Sequence, residues 1–182
     1  MMTRSLLALR IACLAVLLGI ANVQSVPAAL TLEKQDRICI IGSGLADRMQ
    51  HDGWLETILH SAYPKHYLTI RNLGYTGDTV WSRPRNRGFP SQDQYLKDIK
   101  ADVIFIMFGY NESFGGEGGL GKYRDELGKL VDTYRSMKPN GKGAPRIVLF
   151  SPIAHEDLGN PNLPDGKANN ARLAIYSAAT KE

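Results

Sequence analysis

A single serine lies in a tight glycine turn at residues 42–44, directly after a short apolar run and directly before a segment with helical periodicity. A turn of this kind, between a strand and a helix, exposes a side chain beside backbone N–H groups that stabilise negative charge. Ser43 is therefore a candidate nucleophile, and the turn around it is a candidate anion site.

Three further polar loops each follow an apolar run along the chain. They cover residues 72–79, 109–112 and 151–157. If the apolar runs are neighbouring parallel strands, their carboxyl ends meet in one crevice, which is where ligands bind in open α/β sheets. A site shared by all four loops is therefore predicted.

The four loops carry motifs that resemble those of the SGNH, or GDSL-type, hydrolases. Residues 42–45 resemble the first block of that family, Gly-Asp-Ser-Leu, and residues 72–79 are similar to its second block. Residues 109–112 are similar to the third block, Gly-x-Asn-Asp, which is the most specific of the three. The resemblance covers residues 38 to about 152, and it implies a flavodoxin-like sheet and a serine esterase, lipase or carbohydrate deacetylase.

By this resemblance, Gly74 and Asn111 supply the oxyanion hole. The Gly74 N–H and the Asn111 side-chain amide match the two donors that, with the N–H of the nucleophile, hold the oxyanion of a tetrahedral intermediate. One such donor is worth about 3 kcal/mol of the barrier.

The catalytic residues of the family do not transfer so directly. Gly44 stands where the family has its serine, and Ser43 stands one residue earlier. A nucleophile that is misplaced by about 1 Å costs on the order of 10²-fold in rate. The last block of the family, Asp-x-x-His, has no counterpart in this chain. His155, with Glu156 and Asp157 beside it, is the one histidine predicted at the crevice and is a candidate base for Ser43.

Two functions follow as hypotheses. The first is an exported ester or O-acetyl hydrolase, impaired in this chain, that acts through Ser43 as a displaced nucleophile. The second is a non-catalytic module whose oxyanion pocket binds a small-molecule or carbohydrate ester. Gly44 discriminates between them, because acyl transfer requires a nucleophile.

Two other segments resemble ligand sites. Residues 116–122 fit the Gly-x-x-x-x-Gly-Lys pattern of a phosphate loop, but Tyr123 stands where Ser or Thr would ligate magnesium, so a flexible lid before a helix is predicted instead. Residues 81–87 carry Trp81 and three arginines, which suit either contact with an acidic or sugar-like ligand or a solvated connector.

The elements that would position these residues alternate along the chain. Strands are predicted at residues 38–41, 67–70, 103–108 and 147–150, and helices at residues 55–62, 91–99, 120–137 and 171–178. Apolar strands separated by helices predict a doubly wound, three-layer α/β fold with a flavodoxin-like parallel sheet. A fifth strand is expected in such a sheet, so the domain at residues 29–182 is interpreted as lacking its last strand.

Residues 1–28 read as a secretory signal peptide, because Arg4 and Arg10 precede or flank a short apolar run. A secreted or periplasmic protein without stable membrane insertion is expected. Removal of the two arginines takes the net charge from +4 to +2, too little to indicate a nucleic-acid partner.

His51, His60 and His66 show no metal-ligand spacing, and no metal or cofactor is expected. Cys39, the one cysteine beyond residue 28, is predicted to be a buried small hydrophobe.

Overall fold

The computed structural model describes residues 29–85 and 88–182. The predicted signal peptide at residues 1–28 lies outside the described residues, as do Asn86 and Arg87 in the arginine-bearing loop. No helix in the described ranges is both long enough and apolar enough to span a bilayer.

Four parallel strands form one sheet in the order β2-β1-β3-β4. The strands are β1 (Arg37–Gly42), β2 (Thr69–Asn72), β3 (Val103–Met107) and β4 (Arg146–Leu149). The direction in which successive strands are added reverses between β1 and β3. In α/β proteins, ligands bind at the carboxyl ends of the strands at such a switch point. The predicted doubly wound, flavodoxin-like α/β fold is confirmed.

The described part also contains five α-helices and one short 3₁₀ turn (Glu112–Gly115). The helices are α1 (Gly44–Arg48), α2 (Trp54–Ala62), α3 (Gln92–Ile99), α4 (Gly116–Met137) and α5 (Lys167–Lys181). Ser91 caps α3, because its hydroxyl accepts a hydrogen bond from the Gln94 N–H at 3.2 Å.

The helices cover both faces of the sheet, and the side chains of the two central strands alternate between two cores. Cys39 and Ile104 face a core closed by α3, α4 and α5, whereas Ile40 and Phe105 face a core closed by α1 and α2. This alternation is the period of two expected for strands buried on both faces. Burial raises the pKa of the Cys39 thiol to about 12, so the residue is the inert small hydrophobe that was predicted.

Three predicted elements differ from the observed ones by more than one residue. The second strand begins at Thr69 and ends at Asn72, two residues later than predicted, because Tyr67 has a positive φ of 53° and lies before the strand. Helix α4 begins at Gly116 and helix α5 at Lys167, each four residues earlier than predicted. Residues 116–122 are therefore neither a phosphate loop nor a flexible lid but the first turns of a helix.

Candidate functional site

A crevice of about 520 Å³ opens at the carboxyl ends of the strands. Each of the four predicted polar loops contributes to it. Its lining is mostly apolar, with one cation and several hydroxyl groups, and comprises Ser43, Gly44, Leu45, Arg48, Thr76, Met107, Phe108, Tyr110, Ser151, Pro152 and Ile153. An apolar cleft with a few polar groups at a switch point is the usual form of a small-molecule site.

Ser43 borders the crevice, but its side chain is not available as a nucleophile. The residue is only 1% exposed, and its N–H donates to the Met107 carbonyl at 3.2 Å. The Ser43 hydroxyl has no hydrogen-bond partner within residues 29–85 and 88–182, so no general base contacts it there. Although Ser43 holds the N-cap position of α1, its side chain caps nothing. The arrangement does not support the displaced-nucleophile hypothesis.

Gly44 is the position from which a side chain would enter the crevice. A Cβ atom built on Gly44 meets no other atom within 4 Å, and the residue lines the cavity. The contrast with Gly42 is sharp, because a Cβ there would lie 2.4 Å from the Met107 carbonyl oxygen. The turn therefore needs a glycine at position 42, but not at position 44.

The Gly74 N–H, predicted as an oxyanion donor, is already engaged. It donates to the Asn72 side-chain oxygen at 2.8 Å, and the Gly74 carbonyl accepts from Gln50 at 3.0 Å. A Cβ at Gly74 would lie 2.5 Å from the Ala46 Cβ, so this glycine permits close packing of the loop on α1. The structure thus gives Gly74 a packing role, and the role of its N–H in the oxyanion hole remains a prediction.

Gly77 is a candidate donor that the sequence analysis did not single out. It follows Thr76, which lines the crevice, and its φ of +97° is one that favours glycine. The Gly77 N–H makes no hydrogen bond to any other described residue. The signal available in the sequence was its place between a threonine and Asp78 in the second block.

Asn111 is not among the residues that line the crevice. Its side-chain amide donates to the Asp78 carbonyl at 3.0 Å, which ties the loop after β3 to the loop after β2. This bond uses one of the two amide hydrogens. The predicted role of Asn111 in the oxyanion hole remains a prediction.

Two buried carboxylates, whose partners the sequence did not reveal, hold the same two loops. Asp78 is fully buried and forms a bidentate ion pair with Arg85, with N–O distances of 2.9 and 3.0 Å. Glu112 is also buried and accepts hydrogen bonds from the Val80 N–H and the Gly109 N–H, both at 2.8 Å. These bonds are the type that offsets the desolvation of a buried charge.

The arginine-bearing loop forms internal contacts where it is described. Arg85 pairs with Asp78, and Arg83 donates to the Val80 carbonyl. Trp81 lies under the ammonium group of Lys122, 4.0 Å from the ring centre. These contacts fit a structural connector.

His155 does not line the crevice, and its role as a base for Ser43 remains a prediction. It lines a second cavity near the start of α5, and its Nδ1 atom lies 3.3 Å from the Asn169 side-chain nitrogen. The loop from residue 151 to residue 166 carries it there, because the Asn170 side chain bonds both its N–H and its carbonyl. Within the described residues, no group of three or more His, Cys, Asp or Glu side chains is placed to hold a metal ion.

No protein-family model and no curated protein matches the chain. Among solved structures, it is similar to a catalytic mutant of the acetylxylan esterase Axe2 from Geobacillus stearothermophilus, with a TM-score of 0.57 and 16% identity over 84% of this chain and 73% of the esterase. It is also similar to LAE5, an alpha/beta hydrolase enzyme from the metagenome of Lake Arreo, Spain, with a TM-score of 0.54 and 18% identity over 82% of this chain and 72% of that enzyme.

A third similar structure is BT4096, a gut microbial diltiazem-metabolizing enzyme, with a TM-score of 0.55 and 16% identity over 82% of this chain and 36% of that enzyme. The catalytic mutants of Axe2 replace a serine, an aspartate and a histidine, and the last two are three positions apart. At these identities the likeness shows the fold alone. The chain therefore shares its α/β fold with these enzymes.

Proposed function

We propose that this chain binds a small acyl ester, such as an O-acetylated carbohydrate, in the crevice at the end of its sheet and turns it over weakly or not at all. The observation that carries the proposal is the arrangement of the turn at residues 42–44. Gly44 faces open space where a nucleophile would enter the cavity, while Ser43 is buried beside it without a base. Without a base, a serine hydroxyl is a poor nucleophile.

The crevice itself supports binding. Its lining from Leu45, Phe108 and Ile153 offers an apolar surface for an acyl group. The acetylxylan esterase among the similar structures suggests an acetylated sugar as the class of ligand. The signal peptide predicted at residues 1–28 would deliver the protein to the periplasm or the exterior, where such polymers occur.

Hydrolysis of p-nitrophenyl acetate tests the catalytic half of the proposal. We expect the wild-type rate to equal the background rate, and neither Ser43→Ala nor Ser151→Ala to change it. Ser151 is the matched control, because its exposed hydroxyl also lines the crevice directly after a strand. Turnover above background that either substitution removes would overturn the proposal and favour the hydrolase.

Titration with acetylated xylotriose tests the binding half. We expect the wild type to bind the acetylated sugar more tightly than the deacetylated one, and Gly44→Leu to weaken this binding at least about tenfold, or 1.4 kcal/mol, by filling the crevice. Gly121→Leu is the control, because a Cβ at that helical position also meets open space but lies outside the crevice. Equal affinity of the wild type and Gly44→Leu would contradict the proposal.

A further inference from the structure

The second cavity, of about 300 Å³, lies between the 3₁₀ turn after β3 and the start of α5. We define it by six of its lining residues, namely Tyr110, Phe114, His155, Asp165, Asn169 and Arg172. It is separate from the crevice, although Tyr110 lines both. The proposed ester site makes no use of the other five residues.

Arg172 is the only one of these residues with a permanent positive charge, and its charge is not compensated. It forms no ion pair with any carboxylate in residues 29–85 and 88–182. One terminal nitrogen donates to the Asn169 side-chain oxygen at 3.2 Å, and the Nε atom is buried with no acceptor in the same ranges. A half-buried guanidinium with unused donors is suited to an anionic oxygen ligand.

Asp165 is the opposing charge in the second cavity, and a neighbour neutralises it. Its carboxylate pairs with the Lys167 ammonium group at 2.9 Å and accepts the Lys167 N–H at 3.0 Å. The hydrogen bond from the Lys167 side chain lowers the pKa of Asp165, so the pair persists at neutral pH. The guanidinium of Arg172 therefore remains as the net charge that a ligand meets.

The uncharged polar groups of the second cavity are fixed in place. Asn169 is buried, and its amide nitrogen donates to the Tyr110 hydroxyl at 3.1 Å and contacts His155 Nδ1 at 3.3 Å. Since an amide nitrogen can only donate, Nδ1 is the acceptor in this contact, which leaves the Nε2 atom without a partner from Asn169. The Nε2 atom and the Tyr110 hydroxyl are thus polar groups suited to ligand hydroxyls.

An aromatic surface borders these polar groups. Phe114 is 62% exposed, and its ring lies edge-on to Tyr110 at 5.8 Å and 5.5 Å from the Arg172 guanidinium carbon. Ligand pockets are commonly lined by aromatic side chains with a few polar groups beside them. A saturated sugar-like ring with one apolar face and several hydroxyl groups would cover Phe114 and use the polar groups beside it.

We propose that the second cavity binds a uronic acid, with its carboxylate on Arg172 and its ring against Phe114. The guanidinium selects the carboxylate, the polar groups of Tyr110 and His155 select the hydroxyls, and a volume of about 300 Å³ suits a single sugar ring. This inference goes beyond the proposed ester site, because binding here requires neither the crevice nor any turnover.

Calorimetric titration with glucuronate tests this proposal. We expect the wild type to bind glucuronate, Arg172→Met to weaken binding at least about tenfold, and Arg172→Lys to weaken it less, because lysine keeps the charge but loses the planar fork. Arg135→Met is the control, since Arg135 lies in α4 and outside the second cavity. Thermal unfolding of each variant verifies that it is folded.

Neutral glucose and benzoate complete the experiment as ligands that each lack one recognised feature. We expect both to bind at least about tenfold more weakly than glucuronate. Wild-type affinity for glucuronate in Arg172→Met, or benzoate binding as tight as glucuronate binding, would overturn the proposal. Gly44→Leu should leave glucuronate binding unchanged, so the outcome here is independent of the outcome at the ester site.

Discussion

Two regions border the crevice, and they differ in how their buried polar groups are satisfied. In the first turn, residues 42–48, the buried Ser43 hydroxyl has no partner in the described ranges, and Gly44 faces open space. In the loops after β2 and β3, residues 78–85 and 109–113, the buried carboxylates of Asp78 and Glu112 each hold two hydrogen bonds. We call these second loops the clasp.

The difference separates the residues that shape the crevice from those that would take part in a reaction there. The clasp ties two loops together through bonds that involve no nucleophile, so the cavity keeps its form whether or not position 44 carries a hydroxyl. A buried polar group without a partner costs free energy, whereas a satisfied network fixes one geometry. The first turn therefore contributes little to stability beyond its close packing, and the clasp contributes much.

The largest expected effect is on Glu112. Glu112→Ala leaves the N–H groups of Val80 and Gly109 buried without an acceptor. At 1 to 3 kcal/mol for each unsatisfied donor, we expect the free energy of unfolding to fall by about 2 to 6 kcal/mol. Urea unfolding measures this change. Glu156→Ala, on an exposed loop, should stay within about 0.5 kcal/mol of the wild type. Equal effects of the two variants would remove the distinction between the clasp and the rest of the surface.

The ion pair of the clasp gives the next largest effect. Arg85→Met strips the fully buried Asp78 carboxylate of its partner, and we expect a loss of about 3 kcal/mol, at the low end for buried pairs because Arg85 keeps some solvent contact. The same substitution in the exposed pair, Lys167→Met, should cost less than about 1 kcal/mol. Both are measured by urea unfolding.

A second substitution sharpens this test. In the double variant Asp78→Asn with Arg85→Met, the buried charge is removed along with its partner. We expect this variant to be more stable than Arg85→Met alone, because the cost lies in the uncompensated carboxylate. A double variant no more stable than the single one would mean that Arg85 acts through packing.

The sequence was sufficient for the fold because its strongest signals are local. The runs that became β1 and β3 are apolar on both faces, and that pattern specifies central parallel strands. The errors arose where local propensity and structure disagree. Helix α4 begins with Gly116, Gly118 and Gly119, although glycine is a poor helix former. The Tyr176 hydroxyl stabilises this end of the helix by donating a hydrogen bond to the Gly116 carbonyl at 2.9 Å.

The candidate site could be predicted only in outline. The convergence of the four loops followed from strand direction, but the roles inside them depended on contacts between distant residues. Nothing local in the sequence indicates that Asn72 engages the Gly74 N–H, or that Asn169 and Asn170 hold His155 in the second cavity. The exposure of a side chain in a sharp turn depends on the backbone conformation of a single residue, which a short sequence motif does not specify.

The smallest expected effect compares two buried serines, one in each region. Ser43→Ala removes a hydroxyl that has no partner among the described residues, whereas Ser113→Ala removes one that donates to the Tyr110 carbonyl at 2.7 Å. We expect Ser43→Ala to be neutral or to stabilise the protein by up to about 1 kcal/mol, and Ser113→Ala to destabilise it by about 1 kcal/mol.

The opposite signs make this pair informative despite its size. Both residues are at most 1% exposed, so the loss of side-chain volume is matched, and the difference between the two variants reports the hydrogen bond. Thermal and urea unfolding of both proteins measure it. A destabilised Ser43→Ala would mean that the Ser43 hydroxyl finds a partner in solution, such as a buried water, and would return this residue to consideration as part of the chemistry of the crevice.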